Sequence, residues 1–146
     1  MIIDDIIEKT KERVEENKKR NSIDKLAKLA FAKPIYNDFP FEKALRKPGL
    51  SYIMEVKRAS PSKGVITQNF DYKTIAKEYE DIGAAAISVV TEPDFFKGDD
   101  DFLAEIKKIV KIPVLRKDFV IDEYMIYEAK LLGADAVLLI CSVLDE

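Results

Sequence analysis

Histidine is missing from the 146 residues, and Cys141 is the only cysteine. Neither an intramolecular disulfide nor the usual zinc and iron ligand sets can then be assembled, so no metal is expected and a reducing, cytoplasmic setting fits. No segment approaches the roughly 18 consecutive apolar residues of a membrane span. The start, Met1-Ile2-Ile3-Asp4-Asp5, lacks the basic region that opens an export signal. Charge of one sign is not concentrated either. The 24 basic and 27 acidic residues are interspersed and leave a net charge of -3, so there is no basic stripe for a phosphate backbone, and neither nucleic acid nor membrane is an expected partner. What is abundant is apolar surface, 47% of residues beside 35% charged, which suffices for one soluble domain with a core.

The pattern changes once along the chain. Ile2, Ile3, Ile6, Ile7 and Val14 fall on one side of a helix of period 3.6, with Glu8, Lys9, Glu12 and Lys19 opposite. Leu26, Leu29 and Ala30 form a second helical pattern ending before Pro34, and Phe41 to Leu45 suggest a further turn before Pro48-Gly49. Residues 1–48 are thus expected to be a helical N-terminal extension, and 49–146 the repeating part. There, short apolar runs alternate with amphipathic helices, the signature of successive βαβ units on a parallel sheet.

Four strands are expected, Tyr52 to Lys57, Ala85 to Thr91, Pro113 to Lys117 and Ala136 to Ile140. The second and fourth are almost wholly apolar, as for strands covered on both faces. Tyr72, Ile75, Ala76, Tyr79 and Ile82 make a helical stripe with Asp71 as N-cap and Gly83 beyond its end. Phe102, Leu103, Ile106 and Ile109 make another, and about Glu123 to Leu132 a third. Ile82-Gly83-Ala84-Ala85-Ala86-Ile87 and Leu132-Gly133-Ala134-Asp135-Ala136-Val137 are two copies of one joint: helix end, glycine, small residue, buried strand. Right-handed crossovers then set the strands side by side in chain order.

Residues two apart in a strand share a face, so Glu55 and Lys57 point one way while Met54 and Val56 point toward the helices. On the third strand Lys117 shares a face with Leu115 and Phe119, and can therefore approach Glu55. A Lys-Glu-Lys group at the carboxyl ends of strands suits an anionic substrate, supplying positive charge and a held proton donor. Solvated strand-end charges are the competing reading. Between the first strand and the next helix, Arg58-Ala59-Ser60-Pro61-Ser62-Lys63-Gly64 reads as a tight turn over the sheet. After the second strand, Phe95-Phe96 offers a ring that either covers an aromatic substrate or packs in the core, and Phe119 carries the same alternative.

Together, Glu55-Val56-Lys57-Arg58-Ala59-Ser60-Pro61-Ser62-Lys63-Gly64, Ser88-Val89-Val90-Thr91-Glu92 with Phe95-Phe96-Lys97-Gly98, and Arg116-Lys117-Asp118-Phe119 resemble the N-terminal half of indole-3-glycerol-phosphate synthase. The resemblance covers essentially the whole chain. It implies an α/β fold, the first four strands and helices of a TIM (β/α)8 barrel behind a helical extension. It also implies closure of the indole ring of 1-(2-carboxyphenylamino)-1-deoxyribulose 5-phosphate in tryptophan biosynthesis, with loss of carbon dioxide and water and without metal or organic cofactor. By position in the motifs, Lys117 would be the general acid on the ribulose carbonyl and Lys57 would hold the anionic groups. Glu55 would orient both lysines, Ser60 and Pro61 would shape the loop over the substrate, and Phe96 with Phe119 would line the anthranilate pocket.

A full barrel has eight strands in about 250 residues. The resemblance assigns the second catalytic carboxylate to the fifth strand and the phosphate-binding loops to the seventh and eighth, and no residue here matches them. The expectation is that this chain alone does not turn over the substrate, and that its open edges lead it to form homo-oligomers or to pair with a complementary C-terminal half. A non-catalytic half-barrel module is the alternative from another class. A four-stranded flavodoxin-like domain ranks last, since no glycine-rich phosphate fingerprint opens a helix.

Overall fold

The computed structural model of the chain describes residues 2–35 and 38–144. Met1, Tyr36, Asn37, Asp145 and Glu146, which belong to the expected division at residue 48, lie outside them. Two long N-terminal helices come first, α1 (Ile2–Arg20) and α2 (Ile23–Ala32), followed by the short α3 (Pro40–Leu45). Strand β1 (Ile53–Val56) then leads into a hairpin of β2 (Ala59–Ser60) and β3 (Gly64–Val65). The rest alternates: α4 (Tyr72–Asp81), β4 (Ala86–Val90), α5 (Asp100–Ile109), β5 (Val114–Lys117), α6 (Glu123–Leu132) and β6 (Ala136–Val137).

β1, β4, β5 and β6 lie side by side in chain order and all parallel. The register aligns Glu55 with Ser88 and Ser88 with Leu115, so these three share a face, while Val56, Val89 and Arg116 share the other. That second face carries the helices. Val56, Ile87, Val89 and Val114 pack there with Ala76 of α4 and with Leu103 and Ile106 of α5. Each such large side chain, fully buried, stabilises the fold by about 1.5–3 kcal/mol relative to exposure. A second cluster seats α1 and α2 on α6 through Val14, Leu26, Val120, Tyr124 and Met125.

Local chemistry accounts for the element ends. Asp71, Asp99 and Asp122 cap α4, α5 and α6, each carboxylate accepting from a first-turn amide, those of Thr74, Asp101 and Tyr124. The two copies of the repeated joint close alike. Gly83 and Gly133 stand at φ 90° and 92°, and the amides of Ala84 and Ala134 reach back to the carbonyls of Tyr79 and Ala129.

Four details differ from the sequence reading. On α1 the buried stripe is Ile6, Thr10 and Val14, and Ile2 is exposed. At about 100° per residue the apolar arc centres on Thr10, whose hydroxyl donates to the Ile6 carbonyl and so enters the core satisfied. Ile82 lies past the end of α4 and is 69% exposed rather than in the stripe. The fourth parallel strand is confined to Ala136–Val137, and the Arg58–Gly64 turn contains the β2–β3 ladder.

A charge network fastens the elements together. Arg116, with 3% of its side chain exposed, donates to Asp100, Glu128, the Met125 carbonyl and Thr91 Oγ1. Thr91 passes a hydrogen bond on to Asp118, which also accepts from Arg13 of α1 at 2.9 Å. Burial pushes the Glu128 carboxyl above its ordinary value, with the Arg116 charge opposing it. Removing one member of a buried charge group strands the others. Arg116→Met is therefore expected to lower stability by about 3–5 kcal/mol, read as a fall in the urea midpoint.

Candidate active site

The helix-free face of the sheet ends, at the carboxyl rim, in the charges singled out from the sequence. Glu55 lies within β1, Lys57 just past it, and Lys117 is the last residue of β5. Lys57 Nζ stands 2.9 Å from Glu55 Oε1, and Lys117 Nζ stands 3.4 Å from Glu55 Oε2. Both ammonium groups are thus on one side of the sheet, and one carboxylate bridges them. The register explains the convergence: Val90 is paired with Lys117, and β4 intervenes between the two lysines, leaving a span that only long side chains cross.

About a third of each side chain in the trio is exposed, so the group is screened on one side and open to a ligand. Desolvation alone would raise the Glu55 carboxyl. The hydrogen bond from Lys57 and the charge of Lys117 outweigh it and hold the carboxyl below its ordinary value of 4.5. Glu55 is an anion here, and two cations share it, which leaves excess positive charge for an anionic ligand.

The remaining predicted residues flank this trio. The rings of Phe96 and Phe119 are tilted at 38° with centroids 6.3 Å apart, and with Val90, Glu92, Lys117, Asp118, Leu138 and Ile140 they border a small cleft of about 30 Å³. Ser60 sits in β2, with its hydroxyl 3.5 Å from that of Ser62, and Pro61 is exposed at the hairpin tip. A hydrogen bond from the Ala59 amide to the Phe96 carbonyl, 3.1 Å, ties this hairpin to the Phe96 loop.

Two neighbours escaped the sequence reading. Ser88, 5% exposed, points its hydroxyl at Glu55 Oε2 from 3.4 Å. It is the lone polar residue in the otherwise apolar run Ala86–Val90, and that was the available signal. Glu92, 1% exposed, accepts hydrogen bonds from the amides of Asp94, Phe95 and Phe96. Its position after an apolar strand and before Pro93 reads as an ordinary loop acid, so only the fold reveals it. The same loop needs Gly98, because a Cβ there would lie 2.5 Å from the Val90 carbonyl oxygen.

Parallel strands, crossover helices on one face and a charged, ring-flanked rim at the strands' carboxyl ends place the chain among the βα-repeat proteins. Comparison with known proteins narrows the class. A family model described as indole-3-glycerol phosphate synthase matches residues 3–146. The indole-3-glycerol phosphate synthase of Endomicrobium trichonymphae is 58% identical over 99% of this chain and 56% of its own length. That of Ruminiclostridium cellulolyticum is 55% identical over the same shares, and that of Lacticaseibacillus paracasei 47% identical over the whole chain and 56% of its own. The chain belongs to the indole-3-glycerol phosphate synthase family, and it spans a little over half the length of these curated relatives. Among its described residues no helix is long and apolar enough to cross a membrane.

The depressed Glu55 value has a consequence for stability. The ion pairs contribute fully above the ordinary value of 4.5 and are lost as pH falls through the lower folded value. Glu55→Gln should therefore be less stable than the parent near pH 7, and the gap should close as pH falls below 4.5. Urea titrations at stepped pH give the comparison. A gap independent of pH would contradict the ionised bridge.

Proposed function

We propose that this chain supplies the first four strands of a (β/α)8 barrel acting as an indole-3-glycerol phosphate synthase, with residues 1–48 as its helical extension. The reaction is ring closure of 1-(2-carboxyphenylamino)-1-deoxyribulose 5-phosphate, with decarboxylation and dehydration, a carbon-carbon lyase step of tryptophan biosynthesis in the cytoplasm. One observation carries the reading: two ammonium groups, from non-adjacent strands, meet on a single carboxylate at the rim beside two aromatic rings.

In this reading Lys117 is the general acid. Its ammonium gives a proton to the ribulose carbonyl oxygen as the aromatic ring carbon bonds to the carbonyl carbon, and the carboxylate then leaves as carbon dioxide. That departure returns the benzene ring to aromaticity, and the new hydroxyl then leaves as water together with a hydrogen of the adjacent ribulose C1 carbon, which forms the double bond of the indole's five-membered ring. Lys57 pairs with the substrate's anionic groups, and Glu55 orients both lysines. Phe96 and Phe119 hold the carboxylated ring, and the Ser60-Pro61 hairpin covers it. The later strands, which the greater length of the curated relatives would provide, complete the barrel.

The test is turnover of the ribulose phosphate by the chain, alone and mixed with the C-terminal remainder of the Ruminiclostridium cellulolyticum relative. Indoleglycerol phosphate should form in the mixture, and Lys117→Met should lower kcat/KM by about 10²–10⁴-fold or more. A mixture in which the Lys117→Met chain is as active as the parent would overturn the assignment. The second reading, an association module, is favoured by apolar exposure near the helix-free face, with Ile53 46% and Leu139 54% exposed. A mixture that assembles yet yields no product would favour it.

A further inference from the structure

We infer that Glu92 is a positioning residue for the aromatic pocket: its buried carboxylate folds the loop that presents Phe96, and through the Phe96 carbonyl it also places the hairpin bearing Ser60 and Pro61. The inference rests on the function proposed above for what the two rings hold.

The loop after β4 is organised around this one side chain. Glu92 Oε1 accepts from the Asp94 amide at 3.0 Å, and Oε2 accepts from Phe95 and Phe96 at 2.8 and 2.9 Å. Three successive dipoles thus converge on an anion that lies 1% exposed. A bare carboxylate in such a place is costly, whereas one holding several backbone amides is stable and imposes a concave turn on the chain that carries them. The turn is closed from its other end too. The Gly98 amide donates to the Glu92 carbonyl at 2.8 Å, Lys97 adopts a left-handed φ of 54°, and Lys97 Nζ caps the Asp94 carbonyl.

Residue 96 therefore has little freedom. Its amide is bound to Glu92, its ring is set 6.3 Å from Phe119, and its carbonyl accepts from Ala59, the first residue of β2. One carboxylate fixes the Phe96 side of the cleft directly and its hairpin cover at one remove. Glu92 also borders the cleft, with its oxygens bonded to the loop's amides. Its role is to set where the ring binds, while Lys117 acts from the neighbouring strand.

Glu92→Gln keeps the shape but places an NH₂ where an acceptor stood, so at least one of the three amides faces a donor whichever way the side chain turns. Glu92→Asp keeps the charge on a shorter stem. Asp71→Asn, which weakens the cap of α4, is a control for lost stability alone. In the ¹⁵N-labelled chain, Glu92→Gln should speed hydrogen exchange at Phe96 and Ala59 about 10-fold and abolish the Phe96–Phe119 ring contact in nuclear Overhauser spectra. Glu92→Asp should fall between it and the parent, and Asp71→Asn should leave all three signals in place. Titration with anthranilate should show about 10-fold weaker binding for Glu92→Gln and none of that loss for Asp71→Asn. If Glu92→Gln keeps the ring contact, with exchange at Phe96 and Ala59 matching Asp71→Asn, the positioning role is wrong. If anthranilate binds neither the parent chain nor its mixture with the C-terminal remainder, the function proposed above is what fails, and the exchange and ring-contact signals still decide the role of Glu92.

Discussion

Arg116 is the cation on which the arrangement depends. Its guanidinium meets the start of α5 through Asp100, α6 through Glu128 and the Met125 carbonyl, and the end of β4 through Thr91. Asp118, two residues along on the same side, extends the network to α1 through Arg13. Two residues flanking Lys117 are thus immobilised from behind. Alternation along the strand then leaves Lys117 facing the opposite way, toward Glu55, with its backbone anchored. The site lysine is placed by charges that do not themselves belong to the site.

A similar division runs through β4. Val89 packs against the helices, Ser88 turns its hydroxyl to Glu55, and the strand ends in Thr91 and Glu92, one serving the network behind and the other the loop in front. Polar groups on both sides of the sheet are satisfied locally, and α1 reaches the rim through the pair of Arg13 with Asp118. The excess of positive charge at Lys57 and Lys117 is held in a frame where the buried Arg116, Asp118 and Glu92 already have partners.

Much of this was legible in the sequence, because period and punctuation act locally. The extent of α6, the Asp71 cap, the twin glycine joints and the shared face of Glu55 and Lys57 follow from spacing alone. What was not legible depends on contacts and element ends that period alone does not mark. Thr10 lies at the centre of an apolar arc and is buried only because Ile6 offers a carbonyl. Ile82 fits the helical stripe by period, but the helix has ended before it. The β2–β3 ladder is too short to leave an alternation. Arg116 looks like one more rim charge beside Lys117, and only the strand's facing separates the two. Glu92 gives no sign of burial until the loop closes around it.

The close interleaving of Arg116, Lys117 and Asp118 bears on how the chain tolerates insertion and deletion. A strand displaced by a single residue turns every side chain to the other face. In β5 such a slip would bring the guanidinium out to the rim and drive the lysine among the helices, where Asp100, Glu128 and the Met125 carbonyl are spaced for a planar guanidinium rather than for a single ammonium. Misalignment would cost stability and chemistry together, so few shifted variants could survive with one intact and the other lost. Length changes in this protein are better accommodated in the exposed segment 46–50 ahead of β1.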